Sequence, residues 1–212
     1  MKYYLFNPTG NMTVLADSYI PSDTIMEMEP SCEQVGYIFD KDGCDIAIRM
    51  AGGEFCGNAS MCAALLTGKQ NASVFVEGTG IVNVTVSGGK GFVTMPKPID
   101  FTSRNGYTIV RFKGIDHCIA DDRLDPGLIS SWCEGEAMGF MYLNGSEMKP
   151  LVYVKNINTI FWENSCASGT AAVGEYLKRR VELRQPGGIL AYEDGILEGS
   201  VKVEKEINLE DV

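Results

Sequence analysis

The stretch Gly53-Glu54-Phe55-Cys56-Gly57-Asn58-Ala59-Ser60-Met61-Cys62-Ala63-Ala64 sets a cysteine directly ahead of small residues that run into an Ala-rich helix. A second stretch, Glu163-Asn164-Ser165-Cys166-Ala167-Ser168-Gly169-Thr170-Ala171-Ala172, repeats that order. Each has a glutamate, then a cysteine two or three residues on, then small polar residues, then the helix. The repetition reads as an internal duplication with one cysteine-led helix per half.

Around these helices the pattern is one of short strands and Gly-rich turns. Residues 73–78 and 81–87 alternate in the strand manner, and Gly88-Gly89-Lys90-Gly91 turns the chain into Phe92-Val93-Thr94-Met95. No helix and no Lys-Ser/Thr pair follows those glycines, so they read as a hairpin and not a phosphate loop. Met95-Pro96-Lys97-Pro98 breaks the sheet. It divides an N-terminal lobe, 1–96, from a C-terminal lobe, 97–212, with the last strand free to cross back. In the second lobe a helix is expected over 168–181, with Ala171, Ala172, Val173, Tyr176 and Leu177 on one face and Gln185-Pro186-Gly187-Gly188 as its stop. A hairpin follows around Glu193-Asp194-Gly195, and the charged stretch 204–212 reads as a solvated end or a frayed strand. Asp40-Lys41-Asp42-Gly43 lacks the later ligands of a calcium loop and reads as a turn.

The 212 residues are 45% hydrophobic and 22% charged, which argues for a packed core. The net charge of -10 is the wrong sign for displacing counterions from nucleic acid or for binding anionic membrane. Seven cysteines without an export signal read as reduced thiols of a cytoplasmic protein. Cys56 and Cys62 fit no common zinc spacing, and with a single histidine no metal site is expected.

A cysteine at a helix start sits among unpaired N–H groups and the positive end of the dipole, which favours thiolate. The small residues behind it leave those N–H groups open to a carboxylate. Two such starts facing each other suit inversion at the α-carbon of an amino acid. One thiolate removes the proton, a thiol on the opposite face returns one, and N–H groups hold the carboxylate that takes up the carbanion's charge. Cys56 and Cys166 are therefore the catalytic candidates. Cys32, Cys44, Cys62, Cys118 and Cys133 read as small buried hydrophobes.

These residues resemble the diaminopimelate epimerase family of two-cysteine racemases. The match is carried by Phe6-Asn7-Pro8-Thr9-Gly10-Asn11, by Cys56-Gly57-Asn58 with Arg49 on the preceding strand, by Gly114-Ile115-Asp116-His117, and by Glu163-Asn164 with Cys166-Ala167-Ser168-Gly169-Thr170. The resemblance implies an α/β (α+β) fold of two similar lobes, each a curved, mostly antiparallel sheet wrapped round a central helix, with the site in the cleft between them. It implies no pyridoxal phosphate or other cofactor. It also implies substrate contacts from Asn11, Gly57, Asn58, Glu163, Asn164, Ala167, Ser168, Gly169 and Thr170.

Departures from the family pattern bear on the substrate. Asn164 stands where the family has Arg, Ile115 where its turn has Asn, and the loop before Cys56 is short. The fork that holds a distal carboxylate is lost. The expected substrate is then a small-molecule amino acid other than diaminopimelate, with Asp116 and Glu163 favouring histidine or a basic side chain. His117 reads as structural or supporting. Glu54 and Glu163 fit amine binding or capping, and Trp132 and Trp162 the core or cleft wall. Two other readings stand beside the racemase: an isomerase like that of phenazine biosynthesis, and a non-catalytic amino-acid binder or thiol sensor. A homodimer is compatible with the class.

Overall fold

The computed structural model describes residues 1–209; the part of the tail reading that falls on 210–212 lies outside them. The first half runs β1 (Lys2–Pro8), β2 (Thr13–Ala16), α1 (Ser22–Met28), β3 (Gln34–Phe39), β4 (Ile46–Met50), α2 (Gly57–Leu66), β5 (Asn71–Val76), β6 (Gly80–Ser87) and β7 (Lys90–Thr94). The second runs β8 (Asp100–Arg104), β9 (Tyr107–Phe112), β10 (Ile115–Ala120), α3 (Ile129–Trp132), β11 (Ala137–Asn144), β12 (Glu147–Val154), β13 (Thr159–Trp162), α4 (Ala167–Leu177), β14 (Val181–Gln185), β15 (Gly188–Glu193) and β16 (Ile196–Asn208). The chain is of the mixed α/β class, mostly strand with few helices.

Strands β1 to β7 neighbour one another in chain order, and β16 pairs with both β7 and β1. Eight strands thus close a barrel. Helix α2 packs against β1, β2, β4, β5, β6, β7 and β16, so it has no solvent face, and Gly57 to Ala64 are all buried. The interior of an eight-stranded barrel is narrow, and a helix fits inside it only if its side chains are small, which explains why this one is built mainly of Gly, Ala, Ser, Asn and Cys. Met61 is its one long buried side chain, and burying such a group contributes about 1.5–3 kcal/mol.

From β16 the sheet continues through β15, β14, β12, β11, β10 and β9 to β8, with β13 beside β12. This second run does not close, and β14 meets β12 at a single residue pair, Glu147 with Arg184. Helix α4 packs against β9, β10, β11, β14, β15 and β16, with Ala167 to Gly174 buried.

Four sequence expectations are corrected. Helix α4 stops at Leu177, where Lys178 adopts a left-handed φ of 51°. Residues 181–185 then alternate buried and exposed as a strand, so Gln185-Pro186-Gly187-Gly188 is the β14–β15 turn and not a helix stop. Tyr176 and Leu177 are exposed, because the helix is covered at its start and open at its end. The charged stretch 204–208 is a strand whose residues mostly face solvent, but it is paired and not frayed: from Leu5↔Lys205 to Lys2↔Asn208 it joins β1 and closes the barrel. Trp132 is buried against Phe140, but Trp162 is 56% exposed on β13 beside Tyr142.

Candidate active site

Cys56 and Cys166 are the N-cap residues of α2 and α4, with nearly the same backbone, φ -129°, ψ 109° and φ -126°, ψ 109°. The local sequence builds both turns alike. Ser60 and Thr170, each four residues on, send a backbone N–H and a hydroxyl to the cysteine carbonyl, the hydroxyls at 2.9 and 2.8 Å. The carbonyl that opens each helix is thereby held twice, which fixes the backbone that carries the thiol.

The two helix starts meet. A Cβ on Gly57 would lie 2.9 Å from the Ala167 Cβ, so only glycine permits this approach. Asn58 donates from Nδ2 to the Ser165 carbonyl at 3.1 Å, and the Ser165 hydroxyl donates to the Pro8 carbonyl at 3.3 Å. Gln185 accepts from the Cys166 N–H at 2.8 Å and donates to Thr170.

Both cysteines line one small, narrow-mouthed cavity together with Gln34, Glu54, Phe55, Gly57, Asn58, Ile115, Val152, Glu163, Ala167 and Ser168. Its volume is about 20 Å³, where a water molecule needs roughly 10–15 Å³. An amino acid enters only once the walls part. No Lys, Arg or His is among the lining residues.

Burial dominates the electrostatics. It pushes both thiols up, and Glu163 adds to the effect at each. The N–H groups of Ala59 at Cys56, 3.4 Å from the sulfur, and of Gly169 at Cys166 act in the opposite sense. The lowering expected from the helix starts is therefore present and outweighed in the closed cavity. Glu163 accepts from Gln34 and is reached by the Cys166 thiol, and burial pushes its carboxyl to about 8. Burial likewise pushes Glu54 to about 7.

Of the residues expected from sequence, the cavity brings together Cys56, Cys166, Gly57, Asn58, Glu163, Ala167 and Ser168. Four lie outside its lining. Asn11 and Asn164 both bond the Glu33 carboxylate, Asn11 Nδ2 and the Asn164 backbone N–H at 2.9 Å each. Thr170 is committed to the Cys166 carbonyl and Gln185, and Gly169 lies against Met141. Asp116 pairs with Arg111 at 3.3 Å and lines a different cleft. Ile115, Asp116 and His117 open strand β10 and do not form a turn, and His117 is fully buried. Cys44 and Cys133 are only partly buried, unlike the other five thiols. Gln34 also lines the cavity, although a glutamine at a strand start carries no local signal, and Glu54 lines it beside Cys56.

Comparison with known proteins gives one relative by sequence and two likenesses of fold. A "Histidine racemase" of Fusobacterium nucleatum subsp. nucleatum is 33% identical, with 97% of this chain and 95% of that one covered. A Pseudomonas aeruginosa structure described as a "Predicted Epimerase" superposes with a TM-score of 0.67 at 13% identity, covering 98% of each chain. A hydroxyproline epimerase from Agrobacterium vitis gives a TM-score of 0.63 at 12% identity, covering 98% of this chain and 91% of that one. Fold and relatives together define an isomerase of the racemase and epimerase class. The family described as "Histidine racemase CntK N-terminal domain" matches residues 1–104 and 128–209, and the chain belongs to it.

No helix among the described residues is long and apolar enough to cross a membrane, and among them no cluster of three His, Cys, Asp or Glu side chains is placed to hold a metal ion.

Proposed function

We propose that this protein racemises a free amino acid, histidine before others, with Cys56 and Cys166 as the two acid–base groups. The observation that carries the reading is the pair of matched N-cap cysteines at two touching helix starts that line one cavity. One sulfur, as thiolate, takes the Cα proton. The other, as thiol, delivers a proton to the opposite face, and the roles are exchanged for the reverse direction. The substrate carboxylate sits on the free N–H groups of the two helix starts and takes up the charge released at Cα. Glu163 faces the ammonium. The chemistry uses only groups of this chain and no cofactor.

The duplication, read with the two helix surroundings, supports lobes over 1–96 and 97–212, with β16 as the strand that crosses back. Their parting admits the substrate and their closure excludes water. Histidine is favoured by the family and its relatives and by a cavity wall rich in acceptors. The absence of lining cations disfavours diaminopimelate, whose distal carboxylate has nothing to hold it.

The experiment is Cα deuterium incorporation in D2O over a panel of L- and D-amino acids, with the thiols kept reduced and no added cofactor. Exchange with inversion is expected for histidine, and Cys56→Ser and Cys166→Ser each abolish turnover. No exchange across the panel, or a preference for acidic amino acids, overturns the reading. Wild-type protein that binds histidine without exchange, and keeps binding it as Cys56→Ser or Cys166→Ser, points to the binding protein instead.

A further inference from the structure

Two polar atoms in the cavity wall are buried without a hydrogen-bond partner, Glu54 Oε2 and Asn58 Oδ1. Both are acceptors while Glu54 is ionised, and an acceptor shut away from water without a donor is costly. A site that keeps such atoms is shaped for a donor it does not itself supply. No Lys, Arg or His lines the cavity, and the Gln34 amide bonds Glu163.

The Glu54 carboxyl is held in place and is not a stray side chain. The backbone N–H groups of Gly52 and of Glu54 itself lie near enough to favour its ionised form, and Asn156 pins the Gly52 carbonyl at 2.7 Å. Gly52 admits no side chain, since a Cβ there would lie 2.1 Å from Val154 Cγ1 and 2.6 Å from Glu54 Oε2. The Glu54 carboxyl is thus part of the cavity wall, carried on a fixed loop, with one oxygen unpartnered. Glu163, on the opposite half of the chain, already accepts from Gln34 and meets the Cys166 thiol.

An amino acid has one α-ammonium, and Glu163 takes it. A second set of acceptors needs a second donor on the same substrate. We propose that Glu54, with Asn58 Oδ1 beside it, is the residue that selects the substrate side chain, by accepting a hydrogen bond from a side-chain N–H. The class so defined is an α-amino acid with a nitrogen donor at its far end, such as an imidazole or an ammonium. The assignment rests on the racemase reading above and adds to it the group that chooses between substrates.

The test compares kcat/KM for L-histidine with that for β-(2-thienyl)-L-alanine, which has a ring of similar size and no N–H. Wild-type enzyme is expected to prefer histidine strongly. Glu54→Met removes the acceptor at nearly constant volume, and the preference should fall roughly 10- to 100-fold. Glu54→Gln keeps an uncharged acceptor and should give an intermediate ratio; it also serves as the readout if the methionine variant does not fold. Variants that turn over histidine with the wild-type ratio overturn the Glu54 assignment and leave the racemase reading intact. A wild type that exchanges no amino acid overturns both.

Discussion

Asn58, two residues behind the first cysteine, donates to the carbonyl of Ser165, the residue just before the second. The two halves of the site are therefore not positioned independently. The same few atoms that open α2 hold the segment that opens α4. Asn58 is 2% exposed, so its loss strands a buried carbonyl. Asn58→Ala should cost about 1–3 kcal/mol, which for a chain of this size lowers Tm by roughly 2–4 °C per kcal/mol. Turnover should fall further than stability accounts for, because the thiols lose their shared register. A variant that melts early yet keeps wild-type kcat would show that the bond is structural only.

Gly57 makes a sharper test of the contact between helix starts. An added methyl meets Ala167 Cβ at 2.9 Å and Met95 Sδ at 3.4 Å. Overpacking of this kind costs about 1–3 kcal/mol. Gly57→Ala should leave a folded barrel with widened spacing between Cys56 and Cys166, and therefore much lower kcat with a smaller change in Tm. Full activity in Gly57→Ala would mean that the approach of the helices is not needed for the reaction.

Thiol accessibility follows from burial. Cys44 and Cys133 are partly exposed, and Cys32, Cys56, Cys62, Cys118 and Cys166 are buried. Burial also keeps Cys56 and Cys166 protonated, and the thiolate is the reactive form. Brief treatment of native protein with iodoacetamide should alkylate Cys44 and Cys133 first, as mapped by peptide mass spectrometry, and all seven only in denaturant. Slower labelling of Cys56 and Cys166 measures how often the cavity opens. Rapid labelling of those two would contradict a cavity that is closed at rest.

The helix starts were legible because their demands are local. A thiol at an N-cap, small residues behind it and a hydroxyl four residues on can be read off a dozen positions. The hairpins at Gly88-Gly89 and around Glu193-Asp194-Gly195 were legible for the same reason. The closing strand was legible only as an end free to cross back, and its partner β1 was not, since β16 joins β1 across nearly the whole chain and its residues 204–208 are charged and mostly face solvent. No local pattern distinguishes such a strand from a free tail. Asp116 was misplaced by a similar limit: its place in the sequence beside a family turn does not say which face of β10 it occupies, and it faces Arg111 and a different cleft. The role of Gln34 depends on a partner 129 positions away and could not be seen.

The buried ionisable groups predict an acid-shifted stability optimum. Glu54 and Glu163 titrate at about 7 and about 8 when folded, against 4.5 for an ordinary glutamate. The folded state holds their protons more tightly, so their contribution is complete below pH 4.5 and is lost as pH rises toward 8. His117 has both ring nitrogens without a partner, and burial lowers it to about 3 from 6.5. The folded state refuses its proton, so that contribution is complete above pH 6.5 and is lost as pH falls toward 3. Each group changes stability by about 1.4 kcal/mol per pH unit inside its own window. Between pH 4.5 and 6.5 the two glutamates outweigh the one histidine, and below 4.5 the histidine acts without them. Tm measured across pH should therefore peak near pH 5 and decline toward 8. Glu163→Gln should flatten the alkaline decline, and His117→Leu the acid one. A Tm that climbs steadily to pH 8 would mean that the two carboxyls are ionised at neutral pH in the folded protein, and that the cavity is wetter than its closed walls imply.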